Sequence, residues 1–426
     1  MKELAEFVTA HMSDATTRLL LNRAKWPGID MDIAVNCIES RRKLRGKVAE
    51  WYEEPLLVFP RRLSAEQCSS SATARYKSSL AERIAIADGL KEYGWSIADL
   101  TGGLGVDSWF FSKKAARVLY NEMDQSLSMA AHYNFSVLQA DNIEISNHMV
   151  TGRRAVESGE SGTTPQDILA SFQPDIVFMD PARRGEGGKK VFLIEDCTPD
   201  VLTLKDELFE TCRHLLIKLS PMADITMVCE RLGTQCREVH VVATGGECKE
   251  LLVWMDRGWE DGYTIHAIEL DSNGEYKEFA FRPSEEKEAH LRAFLDLEAS
   301  FLFEPGKALM KSGAFNLICE RFCINKLGSS THYYAFGSQQ KADELKAYGK
   351  TFRIVRIDPL DKRTIKAAGK EFPAAEVTAR NIPMDTDALR KKLGVSSGGD
   401  IHIFGLKSDH HGNLLIITAS RRPDID

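Results

Sequence analysis

Between residues 96 and 220 short apolar runs alternate with segments of helical spacing, and that alternation leaves the chain few folds to adopt. The runs are Ile97–Leu100, Arg117–Asn121, Ile143–Asn147, Asp175–Met179 and His214–Leu219. The lengths between them fit helical crossovers, which predicts a parallel sheet with helices on its faces. Two further runs, Glu238–Ala243 and Leu251–Met255, are joined only by the Gly-containing turn 244–250. That link is too short for a crossover, so the pair is predicted as a hairpin and the seventh strand as antiparallel. A plain dinucleotide-binding sheet has six parallel strands and no such hairpin.

The flanks read differently. Leu4, Phe7, Val8 and Met12, followed by Leu19 to Leu21, recur at helical spacing, and a second helical stretch covers 72–92. Arg41, Arg42, Lys43, Arg45 and Lys47 form an acid-free basic segment. It suits either phosphate binding or the solvated face of a helix. Asn273-Gly274 marks another hairpin within 263–281, and the charged stretch Arg282 to His290 a boundary; Gly398-Gly399 and Gly412-Asn413 are turns in a mixed helix-and-strand tail. These signals divide the chain into an N-terminal helical region (1–71), an α/β domain (72–282) and a C-terminal α+β domain (283–426).

Composition excludes several classes. With 43% hydrophobic and 27% charged residues the chain is ordinary globular material. Its apolar runs fall far short of the roughly 20 residues a membrane span needs. Glu3, Glu6 and Asp14 spoil a secretory signal layout, and nine scattered cysteines read as reduced thiols, so a cytoplasmic protein is expected. The net charge of −7 hides an asymmetry: residues 301–426 hold 20 Lys and Arg against 14 Asp and Glu, whereas the rest carries −13. A basic part of that kind suits a polyanion partner.

The sharpest local signal is Asp99-Leu-Thr-Gly-Gly-Leu-Gly105, directly after the first strand. Small residues there let the backbone turn tightly and approach a ligand. Glu122 ends the next strand, where a carboxylate accepts hydrogen bonds from ribose hydroxyls. Together they describe a pocket for an adenosine-containing ligand. The nicotinamide fingerprint lacks its third glycine, since Ser108 stands there. The fourth strand runs into Asp180-Pro181, placing a carboxylate and a stiff turn at the sheet's carboxyl edge.

These residues resemble those of class I S-adenosylmethionine-dependent methyltransferases, whose Rossmann-like seven-stranded sheet ends in an antiparallel hairpin. Asp99, Gly103 and Gly105 match the family's first motif, with Thr101 in place of its first glycine. Glu122 matches the ribose-binding acid, Met123 would lie beside the adenine, and His148 or Met149 stands where an acid is expected after the third strand. Asp180-Pro181 matches the start of the catalytic-edge motif, with Ala182 and Arg183 replacing its second proline and aromatic. Ser300 to Pro305, Gly313 to Phe315, Glu376 to Ile417 and, upstream, Leu63 to Gln67 and Ala74 to Lys77 resemble chains with a C-terminal THUMP-like domain. The resemblance implies S-adenosylmethionine as cofactor and RNA (tRNA or rRNA) as substrate.

The accepting atom stays open between a base amine, which needs positioning, and a ribose hydroxyl, which needs a base. Lys77, Asp180, Lys218 and Glu238 fall in the order of the K-D-K-E tetrad of ribose 2′-O RNA methyltransferases. A carbon acceptor would call for a cysteine nucleophile. Ser220 stands at the expected place, with Cys197 and Cys248 as distant alternatives. Arg183 is a candidate to stack on a base, and Glu247 and Lys249 are candidates to touch substrate. Cys319, Cys323 and His332 read as core rather than as metal ligands, and no metal is expected. Methylation of a protein or small molecule, a non-catalytic RNA-binding module and a nicotinamide enzyme are the competing readings.

Overall fold

Strand β1 (Ser96–Asp99) has a buried tripeptide, Ile97 to Asp99, and sits between β2 (Arg117–Asn121) and β4 (Ile176–Met179), parallel to both. In the computed structural model, which describes residues 1–183, 194–271, 273–290 and 297–419, β3 (Ile143–Ser146) pairs with β2, and β5 (His214–Leu219) with β4. The hairpin β6 (Cys236–Thr244) and β7 (Glu247–Asp256) follows, and β7 runs antiparallel to β5. The order is β6-β7-β5-β4-β1-β2-β3, with the parallel strands and the terminal hairpin that the crossover lengths and the short link predict. One expectation is corrected. The strands β8 (Thr264–Leu270) and β9 (Tyr276–Phe281) continue that order beyond β6, so the sheet counts nine strands rather than seven.

Two compact units divide the chain: residues 1–240, 249–263 and 270–275, and residues 241–248, 264–269 and 276–426. In the first, helices α1 (Lys2–Ala10), α2 (Thr16–Leu21), α3 (Met31–Leu44), α4 (Ala49–Glu53) and α5 (Arg62–Gln67) precede the sheet. Helix α6 (Ser71–Ala87) starts on a Ser70–Thr73 capping box. It buries Ala74, Lys77, Ser78, Ala81 and Ile84, spaced as one helical face. Helix α7 (Val106–Ser112) follows β1, and α8 (Gln125–Val137) follows β2. The N-terminal helices share a core with the sheet's helices. Trp51 stacks on Phe59 and meets Trp109 edge-on, while Asn134 on α8 holds both the N–H and the carbonyl of Val58 at 2.8 Å.

The second unit contains a seven-stranded sheet. Its strands are β10 (Phe301–Pro305), β11 (Asn325–Lys326), β12 (Tyr334–Phe336), β13 (Gly349–Pro359), β14 (Glu376–Arg380), β15 (Ile401–Ser408) and β16 (Gly412–Ala419). They run in the order β11-β12-β10-β13-β16-β15-β14. Side chains alternate between its faces: Phe404 and Ile416 join Leu302, Tyr333 and Phe352 on one, Ile403 and Leu415 join the helices α9 (Lys362–Glu371) and α10 (Thr386–Leu393) on the other. Gly369 is obligatory between those helices, because a Cβ there would stand 1.8 Å from the Leu393 carbonyl oxygen. Among the described residues no helix is long and apolar enough to cross a membrane.

The basic segment is structural rather than phosphate-binding. Arg41 is buried and donates to the Glu54 carbonyl, Arg42 donates to the carbonyls of Met12 and Asp14, and Lys47 donates to those of Ala65 and Glu66. Three of its five cations therefore tie N-terminal loops to α3 and its end. Because Trp51 is fully buried at the junction, Trp51→Ala is expected to cost about 3–5 kcal/mol in urea unfolding of the whole chain. A loss under about 1 kcal/mol would mean that the N-terminal helices unfold independently of the sheet.

Candidate active site

The turn after β1 is built around Asp99. Its carboxylate is buried and accepts from the Ser108 hydroxyl at 2.6 Å and the Thr101 N–H at 3.1 Å. Burial pushes Asp99 up to about 7, against the pull of Ser108 and with a further push from neighbouring Asp107. The glycines cannot be replaced. A Cβ on Gly102 would lie 2.2 Å from the Tyr120 ring, and one on Gly105, at φ +91°, 2.7 Å from Phe135. Tyr120 donates its hydroxyl to the Gly103 carbonyl at 2.7 Å, pinning the turn against β2.

Glu122 closes the next side. Its carboxylate accepts the Gly103 N–H and the Asp124 N–H, each at 2.8 Å, so the acid and the glycine turn are fastened to one another. An ionised carboxylate has about four lone-pair sites, which leaves acceptors for ribose hydroxyls. Met123 beside it is 61% exposed, apolar surface suited to a flat base. Asn121, buried just before, donates to the carbonyls of Leu100 and His148 and accepts the His148 N–H at 3.0 Å, fixing three strand ends at once.

At the carboxyl edge of β4, Asp180 forms an ion pair with Lys218 of β5. The Asp180 N–H donates to the Thr101 hydroxyl at 2.6 Å. Lys77 lies fully buried behind this edge. Its ammonium reaches both carboxylate oxygens of Glu250 at 3.1 Å, Asp107 at 3.1 Å and Ser69 at 2.6 Å. Glu238 does not join them, which corrects the expected tetrad: it pairs with Arg83 at 2.6 Å and His240 at 3.0 Å. The reason is strand order. Glu238 is on β6, one strand farther from β5 than β7, and Glu250 of β7 supplies the carboxylate instead.

These parts line one cleft of about 760 Å³, within the range of small-molecule sites. Asp99 to Asp107, Glu122, Met123, His148, Met149, Asp180, Pro181, Lys218, Ser220 and Lys249 all face it. Sequence reasoning did not foresee its other wall, Leu63, Ser64 and Gln67 to Ser69 on and after α5. A glycine turn without side chains, a carboxylate with acceptors to spare and exposed Met123 and Leu63 fit an adenosine-containing ligand. Glu247 is exposed at the β6–β7 turn and does not line the cleft; Cys197 is buried in a short ladder with Arg183. Arg184 and the side chain of Arg183 lie outside the described residues. Cys319 is buried, Cys323 ends its helix exposed, and His332 stacks on Phe315 at 3.7 Å.

Comparison with known proteins bears on the fold and the reaction class. Residues 301–341 match a ferredoxin-like domain family and residues 349–420 a THUMP domain-like family. Over 336 residues the chain is 22% identical to an uncharacterized S-adenosylmethionine-dependent methyltransferase of Mycobacterium tuberculosis, covering 77% of this chain and 78% of that one. A Porphyromonas gingivalis W83 crystal structure designated a methyltransferase superposes with a TM-score of 0.81 at 28% identity, covering 99% of this chain and 98% of the other.

The raised Asp99 makes a signed pH prediction. A carboxyl group whose folded value lies above its unfolded one contributes most below about pH 4, and the contribution is lost as pH rises toward 7. Asp99→Asn removes that loss. Unfolding free energies of the variant relative to the parent, from urea titrations, are expected to rise by roughly 3 kcal/mol between pH 4.5 and 7.5; a difference that does not change with pH would contradict a carboxyl buried in this way.

Proposed function

We propose that this S-adenosylmethionine-dependent methyltransferase, which carries a C-terminal THUMP-like domain, modifies RNA, either tRNA or rRNA. The observation that carries the RNA reading is a cationic face on α9 and α10. Lys362, Lys366 and Lys370 recur every fourth residue on the exposed face of α9, with Arg363 beside them and Lys391 and Lys392 exposed on α10. Among the described residues none of these six forms an ion pair. Like charges four apart destabilise a helix by a few tenths of a kcal/mol per pair, so such a row is a burden unless a polyanion neutralises it. The resemblance to THUMP-type modules, which usually deliver RNA to a catalytic sheet, points the same way.

In this reading residues 72–282 carry methyl transfer, residues 283–426 recruit RNA and the helices of 1–71 supply a wall of the cleft. The turn Asp99 to Gly105, with Thr101 and Gly103, grips the cofactor, Glu122 accepts from its ribose and Met123 covers its base. S-adenosylmethionine supplies a methyl group on a cationic sulfur, which departs as a neutral thioether when a nucleophile's electron pair takes the methyl. Asp180 and Pro181, with Lys218 behind them, hold the accepting atom at the edge, where orientation is most of the catalytic task.

Two measurements test this. In calorimetric titration with S-adenosylhomocysteine, Glu122→Ala is expected to weaken binding tenfold or more, whereas Asp180→Ala keeps the affinity within about threefold and abolishes turnover. Loss of binding in Asp180→Ala would reassign that residue to the cofactor. Reversing three cations (Lys366→Glu, Lys370→Glu and Lys391→Glu) is expected to weaken binding of total RNA at least tenfold and to flatten its salt dependence. Unchanged RNA affinity would remove the cationic face from the function.

A further inference from the structure

The ion pair at the catalytic edge is one end of a row. In the antiparallel register of β5 and β7, Lys218 stands opposite Leu252. Glu250, two residues before Leu252, therefore projects from the same face on the diagonal to Lys218, within reach of a long side chain. Asp180 follows Met179, which pairs with Ile217, and so comes alongside Lys218 from the other neighbouring strand. Glu250 is 2% exposed and Lys77 not at all. Charge alternates along the row: Asp180, Lys218, Glu250, Lys77 and Asp107, with Lys47 and Lys249 as further cations and the Cys68 thiol near it.

We propose that Lys218 is a fixed ammonium that positions Asp180, its charge matched by the carboxylates of Asp180 and Glu250 with Lys77 pairing Glu250 from behind, and that the accepting atom is a base amine rather than a ribose hydroxyl. The second half rests on the RNA reading above; the first concerns this chain alone. A ribose hydroxyl must give up its proton to become a nucleophile; an ammonium has no lone pair to take it, and a carboxylate, many orders of magnitude less basic than an alkoxide, is a poor acceptor for it. Burial alone would pull Lys218 toward the neutral amine, but Asp180, Glu250 and Asp107 outweigh it and hold the charge. A base amine needs no prior deprotonation. Its nitrogen lone pair forms the new bond to carbon as the carbon–sulfur bond breaks and that pair stays on sulfur. The surplus proton on nitrogen then passes to the Asp180 oxygen that Lys218 leaves open, and from there to water.

The test needs a readout independent of turnover. In the full-length protein labelled with 13Cε-lysine, the Lys218 resonance, identified by its absence in both Lys218→Arg and Lys218→Met, is expected to stay flat from pH 7 to 10.5. Any midpoint below pH 10.5 would overturn the fixed charge. With total RNA from a strain in which the gene is disrupted, Lys218→Arg is expected to keep at least a tenth of the activity and Lys218→Met to lose a hundredfold. Arginine preserves charge and cannot serve as a base, so equal losses in the two would make Lys218 the proton acceptor. Glu250→Gln is expected to lower turnover tenfold with S-adenosylhomocysteine affinity unchanged within threefold; unaltered turnover would remove Glu250 from the device. Transferred label should be released as mononucleotides by alkali, and label in alkali-stable dinucleotides would establish a ribose acceptor. No label in RNA at all would count against the RNA reading and leave the resonance to decide the charge of Lys218.

Discussion

The hydroxyl of Thr101 joins the two halves of the site. It accepts the Asp180 N–H at 2.6 Å and lies 3.5 Å from the Asp99 carboxylate, whose other oxygen is held by Ser108. The end of β1, which shapes the glycine turn, is thereby fastened to the end of β4, which presents the acid. In the resembling family a glycine stands at this position, and a glycine would leave the Asp180 amide without this partner. The departure from the family pattern is thus a gain of connection: it ties the glycine turn to the carboxyl end of β4. Glu122 makes the second fastening, from the turn to β2, through the Gly103 N–H.

The sheet was largely legible because alternation of apolar runs and crossovers is a local signal that only a few topologies satisfy. The glycine turn and Glu122 were legible for a similar reason, since each sits at a strand end that the pattern itself locates. Glu250 was not. Glu238 and Glu250 lie on the two strands of one hairpin, and chain order does not say which strand is inserted beside β5. Neighbouring strands are about 4.8 Å apart, so the wrong choice moves a carboxylate that far from Lys218. The α5 wall and the latch at Asn121 were missed because their partners are distant in sequence: the Asn134 contact to Val58, which brings α5 to the cleft, spans 76 residues. The two strands after residue 263 were expected as a hairpin, but nothing in their pattern announced that they extend the same sheet.

Burying Lys77 and Glu250 is expensive, and a pair of well-packed apolar residues in their place would often be at least as stable. Burial raises Glu250, and Lys77 and Lys218 pull it back. Removing either partner would strand a charge, so the pair persists as a unit or not at all. What such a unit provides is direction. Lys77 is held by Ser69, Asp107 and Glu250 together, on the buried face of α6 beside Thr73, Ala74, Leu80 and Ala81, and it has no freedom to follow solvent.

The two units solve opposite electrostatic problems. Behind the cleft Lys77 and Glu250 are paired and removed from water, which makes the loss of either costly. On α9 and α10 the cations are exposed and unmatched, while the acids at hand are used elsewhere: Glu371 takes Arg356, and Glu376 and Asp387 take Arg390. Those ion pairs flank the row without entering it. Apolar Ile365, Ala368 and Leu389 hold both helices to the sheet, so the packing does not depend on the charges.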